Sequence, residues 1–220
     1  MVIINTPHNP SGTILTKWDM KQLQSILKST NIILLSDEVY EHIIFDGQVH
    51  ESVSRFPDLA NRSFICASFG KTFHVTGWKV GYCVAPAALM NEFRKVHQFN
   101  VFCVDHPVQR ALAAYLKNPS HYIYLNNFYQ EKRDLFLERI KSSKFKFKPS
   151  QGTYFQLLDY TNISMENDKV IGKRLITENR IASIPISSFN VQNRNDHMLR
   201  FCFAKKQETL EQAVEILCKI

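Results

Sequence analysis

The chain has 220 residues, 45% hydrophobic and 21% charged, which is enough for a sizeable core and for one large or two small domains. Its 27 basic and 20 acidic residues give a formal net charge of +7. The basic residues are spread out, though, and the one dense cluster, Lys141, Lys144, Lys146 and Lys148, alternates with Phe145 and Phe147 as a half-wet strand would. No groove-reading or base-stacking motif accompanies the charge, so the reading is no nucleic-acid partner. The apolar runs are too short for a bilayer span, and the N-terminus lacks a basic lead and cleavage site, so the reading is no membrane and a cytoplasmic chain. Cys66, Cys83, Cys103, Cys202 and Cys218 are odd in number and far apart, with no CxxC pair. They are expected to be reduced core thiols, and no metal site is indicated.

In chain order, Met1-Val2-Ile3-Ile4-Asn5 enters a buried-type strand with no preceding turn or cap, so the chain is expected to begin inside a domain. Residues 5–12 (NTPHNPSG) are dense in turn formers, and Pro7 and Pro10 bar helix or ladder. Thr16 and Asp19 have capping-box spacing, and Leu23, Ile26 and Leu27 supply a helical face running to Lys28. Ile32-Ile33-Leu34-Leu35 predicts a strand covered on both faces and ending at Ser36-Asp37-Glu38. Phe64-Ile65-Cys66-Ala67 predicts a third strand, and residues 80–85 a fourth, closed by Pro86. This alternation predicts an α/β layered sheet. Helices are expected over 87–102 and 108–117, then one long amphipathic helix over 122–142. Strands over 145–147, 154–158, 181–186 and 198–203, with helices over 169–179 and 208–219, predict a smaller α+β domain. The expected division is 1–120 and 121–220.

Open α/β sheets bind ligands in the crevice beyond the carboxyl ends of their strands. Asn9, Asp37 and Lys71 each follow a predicted strand, so parallel strands would turn all three toward one crevice. A lysine there forms a Schiff base with a carbonyl once desolvation or a neighbouring cation frees its amine. Lys79 is suited to be that cation or to bind a phosphate; Ser68 offers a hydroxyl, and Gly70 permits close backbone approach. Asp37 is suited to a protonated ring nitrogen, the partner that pyridoxal phosphate (PLP) needs as an electron sink, and Tyr40 follows three residues on. Taken singly, each residue has an ordinary role. Lys71 reads as a solvated loop lysine, Asp37 as a helix cap, Asn9 as a turn residue, Tyr40 as half-buried packing and Arg200 as a surface ion-pair partner. What sets them apart is that all suit one cofactor.

The segments NTPHNPSG (5–12), SDEVY (36–40), SFGK (68–71) and LRFCF (199–203) resemble, in order and spacing, the class I/II aminotransferases of PLP fold type I. The resemblance covers essentially the whole chain. Gly77-Trp78-Lys79-Val80-Gly81 and the SDEVYEH turn are most similar to the methionine aminotransferase and kynurenine aminotransferase branch. It implies an aspartate aminotransferase-like fold: 1–120 as the C-terminal part of the large PLP-binding domain, with a partial sheet, and 121–220 as a linking helix and small domain. Relatives carry an N-terminal portion with a phosphate-binding helix end, a ring-stacking aromatic and much of the dimer contact. The expectation is that this portion does not precede Met1 and that the full-length form is a homodimer.

By resemblance, Lys71 carries pyridoxal 5'-phosphate as a Schiff base and shuttles the proton between the substrate α-carbon and C4′. Asp37 pairs with the pyridinium nitrogen, and Tyr40 and Asn9 with the phenolic oxygen. Ser68 and Lys79 bind the phosphate. Arg200 grips the substrate α-carboxylate in a bidentate fork, with Asn9 beside it. Many relatives carry arginine at the Lys79 position, so lysine there implies a point contact. The implied reaction moves the amino group of methionine, an aromatic amino acid or kynurenine to a 2-oxo acid. Two alternatives stay open: an inactive remnant acting through association, and a carbon–sulfur lyase on the same fold.

Overall fold

The computed structural model describes residues 1–220. They form two compact units, Met1–Pro7 with Ile14–Asn126, and His8–Thr13 with Asn127–Ile220. No helix is long and apolar enough to cross a membrane.

Unit one is built on a four-stranded sheet of β1 (Val2–Asn5), β2 (Leu34–Asp37), β3 (Ser63–Ser68) and β4 (Gly81–Val84), in that spatial order. The first three strands are parallel and β4 runs antiparallel to β3. Parallel neighbours need a crossover, and α1 (Lys17–Leu27) supplies the first. Thr16 starts it with a complete capping box: its hydroxyl accepts the Asp19 N–H, and the Asp19 carboxylate accepts the Thr16 N–H at 2.7 Å. Met20 and Leu27 of α1 pack with Leu34, Ile65, Val53 and Phe56, and with Leu59 of the short α2 (Pro57–Ala60).

Side chains alternate across a strand. In β3, Ser63, Ile65 and Ala67 are buried, while Phe64, Cys66 and Ser68 are half-buried. The strand expected to be covered on both faces therefore differs from the one observed. It starts at Leu34 instead of Ile32 and alternates, because α1 and α2 cover only the face carrying Leu34 and Ile65. The thiols also differ from expectation. Cys103 is exposed and the other four are half-buried, all of them free, because Cys66 and Cys202 fall on the strand positions that alternation turns away from the core.

The single turn α3 (Phe69–Thr72) follows β3; α4 (Ala87–Asn100) and α5 (His106–Tyr115) follow β4. The expected long helix is two, α6 (Ser120–Ile123) and α7 (Leu125–Ile140), parted at Tyr124. Local bonds hold α6 apart: Asn118 Oδ1 accepts the Ser120 N–H, and the His121 ring bonds the Tyr115 carbonyl and stacks on its ring at 3.7 Å.

Unit two holds an antiparallel sheet of β5 (Phe155–Asp159), β6 (Ile184–Pro185) and β7 (Met198–Cys202), ordered β5-β7-β6, with α7, α8 (Asp168–Asn179) and α9 (Gln207–Leu217). Leu199 and Phe201 of β7 are buried, and Phe136 and Phe145 pack on Phe201. The strand expected over 145–147 is a single bridge between Lys146 and Asp159. The Gln156 side chain takes the Lys148 carbonyl and the Ser150 N–H, the groups that would have extended the ladder. Gly12 joins its segment to this unit. Its carbonyl accepts the Gln151 and Gly152 N–H groups, its φ is +70°, and a Cβ there would lie 2.5 Å from Ser150 Cβ, so only glycine fits.

Candidate active site

In unit one the register sets Asn5, Asp37 and Cys66 level across the three parallel strands. The Asn5 amide donates to the Asp37 carbonyl at 3.0 Å, and β3 continues two residues further to Ser68. Alternation then puts Asp37 and Ser68 on the same face, opposite the α1 core, at the carboxyl ends of their strands. Lys71 sits in the turn that follows, half-buried. The Asp37 carboxyl is raised above its ordinary value, first by burial and slightly by the Glu38 charge. The Val39 N–H and the positive charge of Lys71 pull it back down, so Lys71 lies within electrostatic reach of Asp37.

Ser68 stands at the N-cap of α3 without using its hydroxyl as a cap. Gly70 is where the backbone crowds: a Cβ would lie 3.0 Å from Thr76 Cα and 3.2 Å from Ser68 Oγ. Lys79 is exposed, in left-handed conformation after the 3-10 turn Thr76–Trp78. Tyr40 lies in the turn beyond β2 and is 3% exposed, more deeply placed than the half-buried ring expected of it.

Glu38, beside Asp37, is 2% exposed. Its carboxylate accepts from Ser36 Oγ at 2.8 Å, His50 Nε2 at 2.7 Å and the Val53 N–H at 3.0 Å. Burial pushes its pKa up, but the His50, Val53 and Ser36 interactions outweigh that and hold it below its ordinary value. Its backbone also ties the turn together: the Glu38 N–H donates to the Cys66 carbonyl, and its carbonyl accepts the Glu41 N–H. The segment carrying Asp37 and Tyr40 is thus anchored by a buried anion. The adjacent acid in SDE was visible in the sequence; its pairing with His50, twelve residues on, carried no periodic signal.

In unit two, Arg200 is half-buried in the middle of β7, level with Leu157 and Ile184, rather than on an open surface. It donates to Asn9 Oδ1 at 2.5 Å, so the two residues assigned by resemblance to the substrate carboxylate are bonded to each other. Its guanidinium carbon lies 3.9 Å from the Phe155 ring centre and 5.1 Å from that of Phe189. Neither ring was singled out from the sequence. Phe155 became legible only with the β5–β7 register, and Phe189 with the turn that carries it.

An acid half-buried at a strand end, a lysine within its field, a hydroxyl not used as a cap and a close backbone turn at Gly70 fit an aromatic, anionic cofactor in kind. They are the kinds of residue that carbonyl and amine chemistry at the edge of an α/β sheet calls for. Residues 1–217 match the family described as aminotransferase class I and II, and the chain belongs to that family, with its PLP fold type I architecture. It is 45% identical over 218 residues to the methionine aminotransferase of Escherichia coli K12, covering 99% of this chain and 56% of that protein. It is 31% identical over 244 residues to a kynurenine–oxoglutarate transaminase of Dictyostelium discoideum, covering 100% and 56%. The crystal structure of YbdL from Escherichia coli, identified as having a methionine aminotransferase function, superposes with a TM-score of 0.96 at 44% identity, covering 100% of this chain and 58% of that one. The chain thus spans about half the length of the relatives it matches.

Proposed function

We propose that this chain carries the catalytic lysine and the substrate-carboxylate arginine of an aminotransferase that uses pyridoxal 5'-phosphate. The reaction moves the amino group of methionine, an aromatic amino acid or kynurenine to a 2-oxo acid. The observation that carries the reading is Asp37, half-buried at the carboxyl end of β2 and under the influence of the Lys71 charge. The similarity to methionine and kynurenine enzymes supports the substrate range.

When bound, pyridoxal phosphate supplies an electron sink for negative charge at the substrate α-carbon. The residues supply the rest. Lys71 would hold the cofactor through its Nζ and, once freed, would serve as the base that takes and returns the proton at the substrate α-carbon. Asp37 would face the ring nitrogen and keep a proton on it, that cation favouring the ionised carboxylate against the burial that raises its pKa. Tyr40 and Asn9 donate toward the phenolic oxygen, and Ser68 and Lys79 hold the phosphate. Arg200 binds the α-carboxylate with Asn9 as its neighbour. Residues 1–120 serve as part of the large cofactor-binding domain and 121–220 as the linking helix and small domain, within a homodimer.

The test is to load the chain with pyridoxal phosphate and follow methionine with and without a 2-oxo acid acceptor. The expected result is acceptor-dependent formation of the oxo acid of methionine, lost in Lys71→Ala. Acceptor-independent oxo acid with thiol release would instead assign a carbon–sulfur lyase, and no turnover of either kind would leave the remnant reading.

A further inference from the structure

We propose that Phe155 and Phe189 are positioning residues for Arg200: their two rings fix the plane of the guanidinium so that its N–H fork meets the carboxylate of the amino-acid or oxo-acid substrate. The inference rests on the assignment of Arg200 to that carboxylate.

In the antiparallel β5–β7 pair, Leu157 stands opposite Arg200, which makes Phe155 the diagonal neighbour on the same face. The guanidinium carbon lies over the Phe155 ring, 3.9 Å from its centre, well within cation–π range. Phe155 is only 8% exposed and is itself held in place. Its N–H donates to the fully buried Thr153 hydroxyl at 3.1 Å, and Tyr154 meets its ring edge-on at 4.7 Å. Phe189 arrives from a different element, the 3-10 turn Ile186–Phe189. That turn is pinned by Ser187, whose N–H and Oγ both donate to the fully buried Asp168 carboxylate at 2.7 Å. Two separately anchored rings therefore flank one cation, while Asn9 takes a hydrogen bond from its edge.

The chemistry follows from the shape of arginine. A guanidinium presents its N–H donors in its own plane and binds a carboxylate through two parallel bonds in that plane. Ring stacking acts on the faces, so it orients the plane without consuming a donor. A long side chain held by its faces also loses less freedom when the carboxylate arrives.

The test uses the full chain, isotopically labelled, with Phe155→Leu, Phe189→Leu and Phe189→Tyr. Two readings are taken: the order parameter of the Arg200 Nε–Hε group by NMR relaxation, and the affinities for 4-methylpentanoate and for its neutral amide. The expected result is a drop in the Arg200 order parameter to below about 0.6 in both leucine variants. Carboxylate affinity should fall about three- to thirtyfold, the range a cation–π contact supports, with amide binding unmoved and with recovery in Phe189→Tyr. An unchanged order parameter in Phe189→Leu, with carboxylate still preferred over amide in the parent chain, overturns the positioning role alone; because Phe189 is 46% exposed, that variant keeps the fold if Phe155→Leu does not. Equal binding of carboxylate and amide by the parent chain overturns the carboxylate assignment of Arg200 and the proposal with it.

Discussion

Asp37 is subject to opposed effects: burial favours its protonated form, and the Lys71 charge favours the ionised one. Because its folded pKa is raised, it contributes stability that is fully present below its ordinary value of 3.8 and is lost as pH rises through the folded value. Removing the Lys71 charge in Lys71→Ala should raise the Asp37 pKa further, and a carboxyl carbon NMR titration measures it; no upward movement would separate the two residues electrostatically. Arg200→Lys keeps a charge but loses both the planar fork and the stacking on Phe155, so KM for the amino-acid substrate should rise about tenfold or more. At this scale the polar strand-end residues Asp37, Ser68 and Lys71 were legible because each follows an apolar run. Phe155, Phe189, Glu38 and His50 were not, since their partners come from other elements and no spacing rule links them.

The buried Glu38 anchors the element that carries Asp37 and Tyr40, and it is expected to dominate local stability there. Glu38→Ala leaves the His50 ring, the Ser36 hydroxyl and the Val53 N–H without their acceptor, at a cost of about 3 kcal/mol in urea unfolding. With its folded pKa lowered, Glu38 contributes stability that is present above its ordinary value of 4.5 and lost as pH falls through the folded value. Glu38→Gln should therefore flatten the acid side of the stability profile. Thr16→Ala should cost about 1 kcal/mol by removing the α1 cap. That capping box could be read directly from the sequence, as could the strands of the first sheet and most helices, because local spacing determines them. The break at Tyr124 and the loss of the 145–147 strand depend on side-chain bonds from His121 and Gln156, which periodicity does not register.

For the molecule as a whole, the chain carries an aminotransferase fold over about half the length of its relatives, and unit one exposes large apolar side chains. Ile3 is 67% exposed, Val84 53%, Phe99 86% and Phe102 83%. Exposed apolar area on this scale favours association, so the isolated chain should bind a hydrophobic dye and show concentration-dependent mass by light scattering. A dye-free monomer at all concentrations would count against this. The central claim, that Lys71 is the cofactor-bearing lysine, is tested most directly by borohydride reduction of the chain mixed with pyridoxal phosphate, followed by proteolysis and mass spectrometry. A stoichiometric pyridoxyl mass increment is expected on the peptide containing Lys71; an increment on Lys79, or one spread over surface lysines with Lys71 unmodified, would rule Lys71 out.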